Sequence, residues 1–134
     1  MAKITAHSGV LLSNDVMRTA RYWRDIFGFS IDNTFGDPPT FAILKRDGAY
    51  AMFGLTDQPI TPRREQRESL FDAYFWLDDA TAEFAACKAR GARVDYEPYL
   101  QPYGVLEFGL LDPDNHLVGF GQVIDSAQTK GETQ

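Results

Sequence analysis

The chain gives the same order of elements twice, and that repetition restricts the fold more than any single motif. "KITAHSGVLLS" reads as a strand, followed by a helix in "NDVMRTARYWRDIFG" capped by Asn14 or Asp15. Val16, Ala20, Trp23 and Phe27 recur at helical spacing, and Gly28 suits a left-handed ending. "FSIDNTF" follows as a short strand, then a hairpin in "TFAILKRDGAYAMFGL" turning at Asp47-Gly48. After the polar stretch Thr56 to Ser69 the order resumes. "FDAYFWLDD" is a strand, and "ATAEFAACKARG" is a helix capped by Asp78 or Asp79. "ARVDYEPYL" is a strand broken by Pro98, and "YGVLEFGLL-DPDN-HLVGFGQV" is a second hairpin. The period, Asp15 to Asp79, is roughly 64 residues. A small sheet under one helix buries only one of its faces, so each half needs cover from a second half or a second chain. The spacing predicts an α+β domain of two tandem βαβββ modules. Module one spans about residues 1–56, a linker about 57–69 and module two about 70–124. The tail 125–134 is polar and expected to be disordered.

Composition removes several function classes. Across 134 residues the formal net charge is −6, against the basic surface that a nucleic-acid binder requires. "TPRREQRE" mixes three arginines with two glutamates and reads as a solvated linker. No apolar run is long enough to cross a membrane, and the N-terminus lacks the apolar core of a secretory signal. One cysteine, Cys87, forms no internal disulfide. It sits on the apolar stripe of the second helix and reads as a small buried hydrophobe. The expected setting is the cytoplasm, with neither nucleic acid nor membrane as partner.

Three segments carry a family resemblance: "RYWRDIFGF", "FWLDDATAEFAACKARGARV" and "PYGVLEFGLLDPDNHLVGFG", in order and at the right spacing. Together they resemble the vicinal oxygen chelate superfamily, the glyoxalase, bleomycin-resistance and dioxygenase group. The resemblance covers about Ile4 to Val123. It implies a curved half-barrel cleft that carries the ligand, and a homodimer whose modules often pair across chains. It also implies a divalent metal, held in the family's enzymes by histidine and glutamate from the first and last strands of each module. The corresponding positions here are Ser8, Met52, Asp72 and Gly119. Only Asp72 is a ligand type, whereas such a site needs at least three imidazole or carboxylate donors. A one-residue slip would bring in His7, still leaving two donors. The pattern is nearest to metal-free members of the bleomycin-resistance type, so neither a metal nor another cofactor is expected.

Period-two alternation assigns the faces. Ala73, Phe75 and Leu77 pack on the helix, leaving Asp72, Tyr74 and Trp76 to the cleft. Ser8, Val10 and Leu12 share the cleft face, as do Tyr50 and Met52. On the last hairpin Glu107, Gly109 and Leu111 point in, with Leu117, Gly119 and Gly121 opposite, the glycines leaving floor space for a ligand. Aromatic walls beside two carboxylates suit a cationic or planar molecule. Tyr74 and Trp76 also fit a second reading, as core or dimer-interface aromatics. A register error of one would turn Glu107 to solvent. His116 follows the turn with outward parity and reads as a surface residue. The expected function is sequestration of a small aromatic or cationic ligand, contacted by Asp72, Tyr74, Trp76, Glu107, Tyr50, Met52, Val10 and Leu12, rather than catalysis. The alternatives are a metal-dependent lyase, isomerase or dioxygenase that uses His7, or a metal-free enzyme with Asp72 or Glu107 as base.

Overall fold

A computed structural model describes residues 1–68 and 70–124, so the C-terminal tail lies outside the described residues. The elements are β1 (Ser8–Ser13), α1 (Val16–Asp25), β2 (Ser30–Phe35), β3 (Phe41–Arg46), β4 (Ala49–Leu55), β5 (Ala73–Trp76), α2 (Ala80–Ala89), β6 (Arg93–Leu100), β7 (Val105–Leu111) and β8 (Leu117–Val123). They form two mixed four-stranded sheets, ordered β1-β4-β3-β2 and β5-β8-β7-β6, each within one βαβββ module. β1 runs parallel to β4, and β5 parallel to β8, a pairing that needs the long helix-containing connection found after each first strand. Asp15 and Asp79 cap the two helices, each accepting from the backbone N–H three residues on. The polar linker is not uniformly irregular, since Arg63–Glu65 makes one 3₁₀ turn.

Two boundaries differ from the sequence reading. The first strand was expected from Lys3 but starts at Ser8, and Met1 to His7 are exposed without regular structure. The two large hydrophobes of that segment, Met1 and Ile4, both lie on the surface. The strand containing Pro98 continues to Leu100, absorbing the proline in pairing irregularities between Tyr96 and Tyr99.

The helix-bearing faces of the two sheets are turned towards each other and share one core. Trp23 of α1 is fully buried, with ring contacts to Phe53 of its own module and Phe75 of the other. Phe29 meets Phe75, and Phe27 meets Phe120. An aromatic core of this kind gains edge-to-face contacts of ~0.5–1.5 kcal/mol per pair beyond burial. Cys87 of α2 lies in the same core, its thiol pushed up to about 12 mainly by burial and then by the Glu83 charge.

Polar groups also join the modules, and they overturn the reading of "DPDNH" as a bare turn with a surface histidine. Asp112, Asp114 and His116 are all buried. Asp112 Oδ2 accepts from the Trp23 indole N–H at 3.0 Å and is 2.9 Å from His116 Nδ1. Its Oδ1 accepts from the backbone N–H groups of Asp114 and His116. Asp114 reaches into module one, accepting from the Asn14 N–H, Arg18 and Thr19. Strand parity placed His116 outside, but the turn folds back onto α1 and parity does not extend through it. Burial alone would lower the His116 pKa, but its hydrogen bond to Asp112 and the nearby carboxylate charges outweigh this and hold it above the ordinary value. A second tie, at 2.7 and 2.8 Å, is the two-pronged pair between Arg46 of β3 and Glu83 of α2.

Candidate functional site

Because the helix-bearing faces meet inside, the open faces of the two sheets point away from each other. Of the residues expected to line one cleft, Tyr50, Asp72, Tyr74 and Trp76 meet along a groove between the modules, whereas Val10, Leu12 and Met52 on one open face and Glu107 on the other are not among its lining. Val10 and Leu12, 65% and 53% exposed, lie on the open face of module one with Ser8, Tyr50 and Met52. Tyr74, Trp76 and Glu107 lie on the open face of module two. Trp76 is 65% exposed, more than a core tryptophan shows. β1 and β5 each pair on one side only. Between their free edges runs a groove of about 790 Å³, lined by His7, Tyr50, Asp72, Tyr74, Trp76 and Phe120 among others.

The open face of module two is the more chemically organised. Its two inner strands carry Glu107, Gly109, Gly119 and Gly121, while the outer strands carry Tyr96 and Tyr99 on one side and Tyr74 and Trp76 on the other. Pairing sets Tyr96 opposite Gly109, Gly109 opposite Gly119, and Gly119 opposite Tyr74. Rings from both edges lie inward over this glycine strip. A Cβ at Gly109 would be 2.5 Å from the Tyr96 ring, and one at Gly119 would be 2.6 Å from both Phe71 and Tyr74. A Cβ at Gly121 would collide with the Tyr74 hydroxyl. The glycines do not leave floor space for a ligand, as the sequence reading had it. They make room for the protein's own aromatic rings, which become the floor.

The rings converge on Glu107, which is only 4% exposed. Oε1 accepts from Tyr74 at 2.8 Å and Tyr103 at 3.0 Å. Oε2 accepts from Tyr96 at 2.7 Å and Gln101 at 3.2 Å. All three phenols have raised pKa values, first through burial and then through the bond to this carboxylate, so they remain hydrogen donors at physiological pH. Glu107 has no cationic partner among the described residues. Tyr96, Tyr103 and Gln101 escaped the sequence reading because the irregular pairing around Pro98 hides which face Tyr96 takes. The signal available was the row of glycines, since three on one sheet face need rings to cover them.

Asp72 lines the groove, and its oxygens accept the backbone N–H groups of Arg63 and Leu117, so it also fastens the linker to β8. This also bears on the metal implied by the family. Of the four positions that would hold it, Asp72 is engaged with backbone, Gly119 is covered by Phe71 and Tyr74, and Ser8 and Met52 lie on the other sheet. His7 is exposed at the groove margin. Among the described residues only Asp112, Asp114 and His116 bring three ligand atoms within 4.8 Å. Asp112 has two polar partners on each oxygen, and Asp114 accepts three donors, one of them the Arg18 cation. These residues do not fit a divalent centre.

The sequence matches the profile of the Glyoxalase/Bleomycin resistance protein/Dioxygenase superfamily over residues 5–120. The chain belongs to this superfamily. No curated protein matches it. Among solved structures it resembles the bleomycin resistance determinant encoded on the transposon Tn5, at 26% identity and TM-score 0.70 over 87% of this chain and 95% of that one. It resembles the bleomycin-binding protein from bleomycin-producing Streptomyces verticillus, complexed with copper(II)-bleomycin, at 26% identity and TM-score 0.68 over 90% and 97%. A glyoxalase/bleomycin resistance protein/dioxygenase from Alicyclobacillus acidocaldarius shares the fold, with TM-score 0.74 at 16% identity over 90% and 92%. The described residues contain no helix long and apolar enough to cross a membrane.

Proposed function

We propose that this protein is a binding protein of the bleomycin-resistance type, which sequesters a small aromatic or cationic molecule in the cytoplasm without a metal. The observation that carries this reading is the aromatic floor of module two, built around a buried carboxylate that has no counter-ion among the described residues. A buried, unpaired charge is costly, and a cation that arrives with the ligand offsets that cost. The two structural neighbours described by their names as bleomycin-linked support the ligand class.

In this reading a homodimer completes the cleft. Val10, Leu12, Tyr50 and Met52 of one copy would face Tyr74, Trp76 and Glu107 of the other, and the free edges of β1 and β5 would meet their counterparts across a two-fold axis. Such a dimer covers the exposed apolar residues on both faces and closes two equivalent clefts. Sedimentation velocity at micromolar concentration should give a dimer. Calorimetric titration with metal-free and copper(II)-loaded bleomycin should give one ligand per chain, with the melting temperature raised as saturation proceeds. A monomer that binds neither form would refute the proposal. Elemental analysis showing a stoichiometric divalent metal in the purified protein would favour an enzyme instead.

A further inference from the structure

Glu107 sits beneath the floor, and its geometry determines what it can do for a ligand. A carboxylate has about four lone-pair directions, and Tyr74, Tyr103, Tyr96 and Gln101 occupy four, two on each oxygen. An ammonium group seeking a direct salt bridge would have to displace one of these donors. The charge itself remains uncompensated among the described residues. It reaches the cleft through the rings, since a phenol that donates to a carboxylate becomes richer in electron density over its face.

We propose, resting on the binding function above, that Glu107 is a positioning residue that selects planar delocalised cations. In this role it orients and polarises the rings of Tyr74, Tyr96 and Tyr103 and makes no ligand contact of its own. The ligand class is a flat cation with spread charge, such as an N-alkylated heteroaromatic ring or an amidinium. Such a cation is weakly hydrated and is satisfied by a ring face, whereas a compact ammonium is strongly hydrated and needs acceptor lone pairs that are all in use. A neutral aromatic of the same shape gains the stacking area but not the charge term.

N-methylacridinium and acridine test this at pH 7.5, where they share a shape and differ in charge, with phenethylammonium as the compact cation. Fluorescence titration of the wild-type protein should show the acridinium bound about tenfold more tightly than acridine, the scale of a partly desolvated cation–π contact. In Glu107→Gln that ratio should fall close to one, the acridinium losing about tenfold more affinity than acridine, with dimer mass and circular dichroism checking that the fold persists. Tyr103→Phe supplies a second variant at an exposed rim position. It frees one lone pair of Glu107, so the acridinium preference should persist while phenethylammonium binding strengthens several-fold. Equal binding of acridine and N-methylacridinium by wild type would overturn this inference and leave the binding function standing. An equal loss of both probes in Glu107→Gln would reduce Glu107 to a structural role. Unchanged probe binding with weakened self-association would assign its charge to the dimer interface. Failure of both probes to bind the wild type, together with failure of bleomycin, would remove the binding function itself.

Discussion

Gly121→Ala tests whether the rings over the glycine strip hold their places as tightly as the geometry implies. The new methyl would land on the Tyr74 hydroxyl oxygen, with Tyr74 Cζ and Val105 Cγ1 each 2.8 Å away. Tyr74 must swing out, and its bond to Glu107 breaks. Overpacking costs ~1–3 kcal/mol and the lost bond to a charged acceptor ~1.5–3, against a gain of ~0.5–1 from removing a strand glycine. The net destabilisation is about 2–5 kcal/mol. Urea unfolding at one fixed protein concentration should show the midpoint lowered by about 1 M or more with an unchanged slope. Tyr74→Phe removes the atom closest to the clash. In a double-mutant cycle the Gly121→Ala cost should therefore fall by at least ~1 kcal/mol when Tyr74 is already Phe. If Gly121→Ala unfolds within ~0.5 kcal/mol of wild type, or if the two changes add, the floor is looser than described and the reasoning fails.

Two further outcomes follow from the buried ionisable groups. The raised pKa of His116 means that its contribution to stability is fully present below its unfolded value of 6.5 and is lost as pH rises through the higher folded value. The stability difference between wild type and His116→Gln should therefore be larger at pH 5.5 than at pH 8.5, and a difference independent of pH would contradict the assignment. Cys87, fully buried and with its thiol pushed up to about 12, should resist a thiol-reactive disulfide reagent in the native state and react with one equivalent after unfolding. Rapid native labelling would mean that the helix opens locally.

The repeat was legible because its signals are local: Asp15 and Asp79 as caps, and apolar spacing in the first helix. Parity also set Phe75 on the helix side and Tyr74 and Trp76 on the opposite face of the strand, as the structure has them. What escaped depends on contacts distant in sequence. The module-one partners of Asp112 and Asp114 lie on α1 or just before its cap, 89 to 100 positions away, and no strand pattern announces them. The backbone clamp made by Asp72 was hidden because it depends on where the linker places Arg63. Gly119 and Gly121 showed that something must approach the sheet closely, but not that it would be rings from the same chain. The arrangement of the modules was likewise hidden, because amphipathic elements state which face is buried and not what buries it.

The tie between "DPDNH" and α1 also has a consequence for synthesis. Asn14 and Asp114 stand 100 positions apart, so module one cannot complete its contacts until the last hairpin has been made. During translation, Trp23 waits with its indole N–H unbonded and the aromatic face of α1 uncovered. Contacts of such long sequence separation slow folding and prolong the exposure of sticky surface. A chain cut short before residue 116 is therefore expected to keep that aromatic face uncovered and to aggregate instead of forming a folded half.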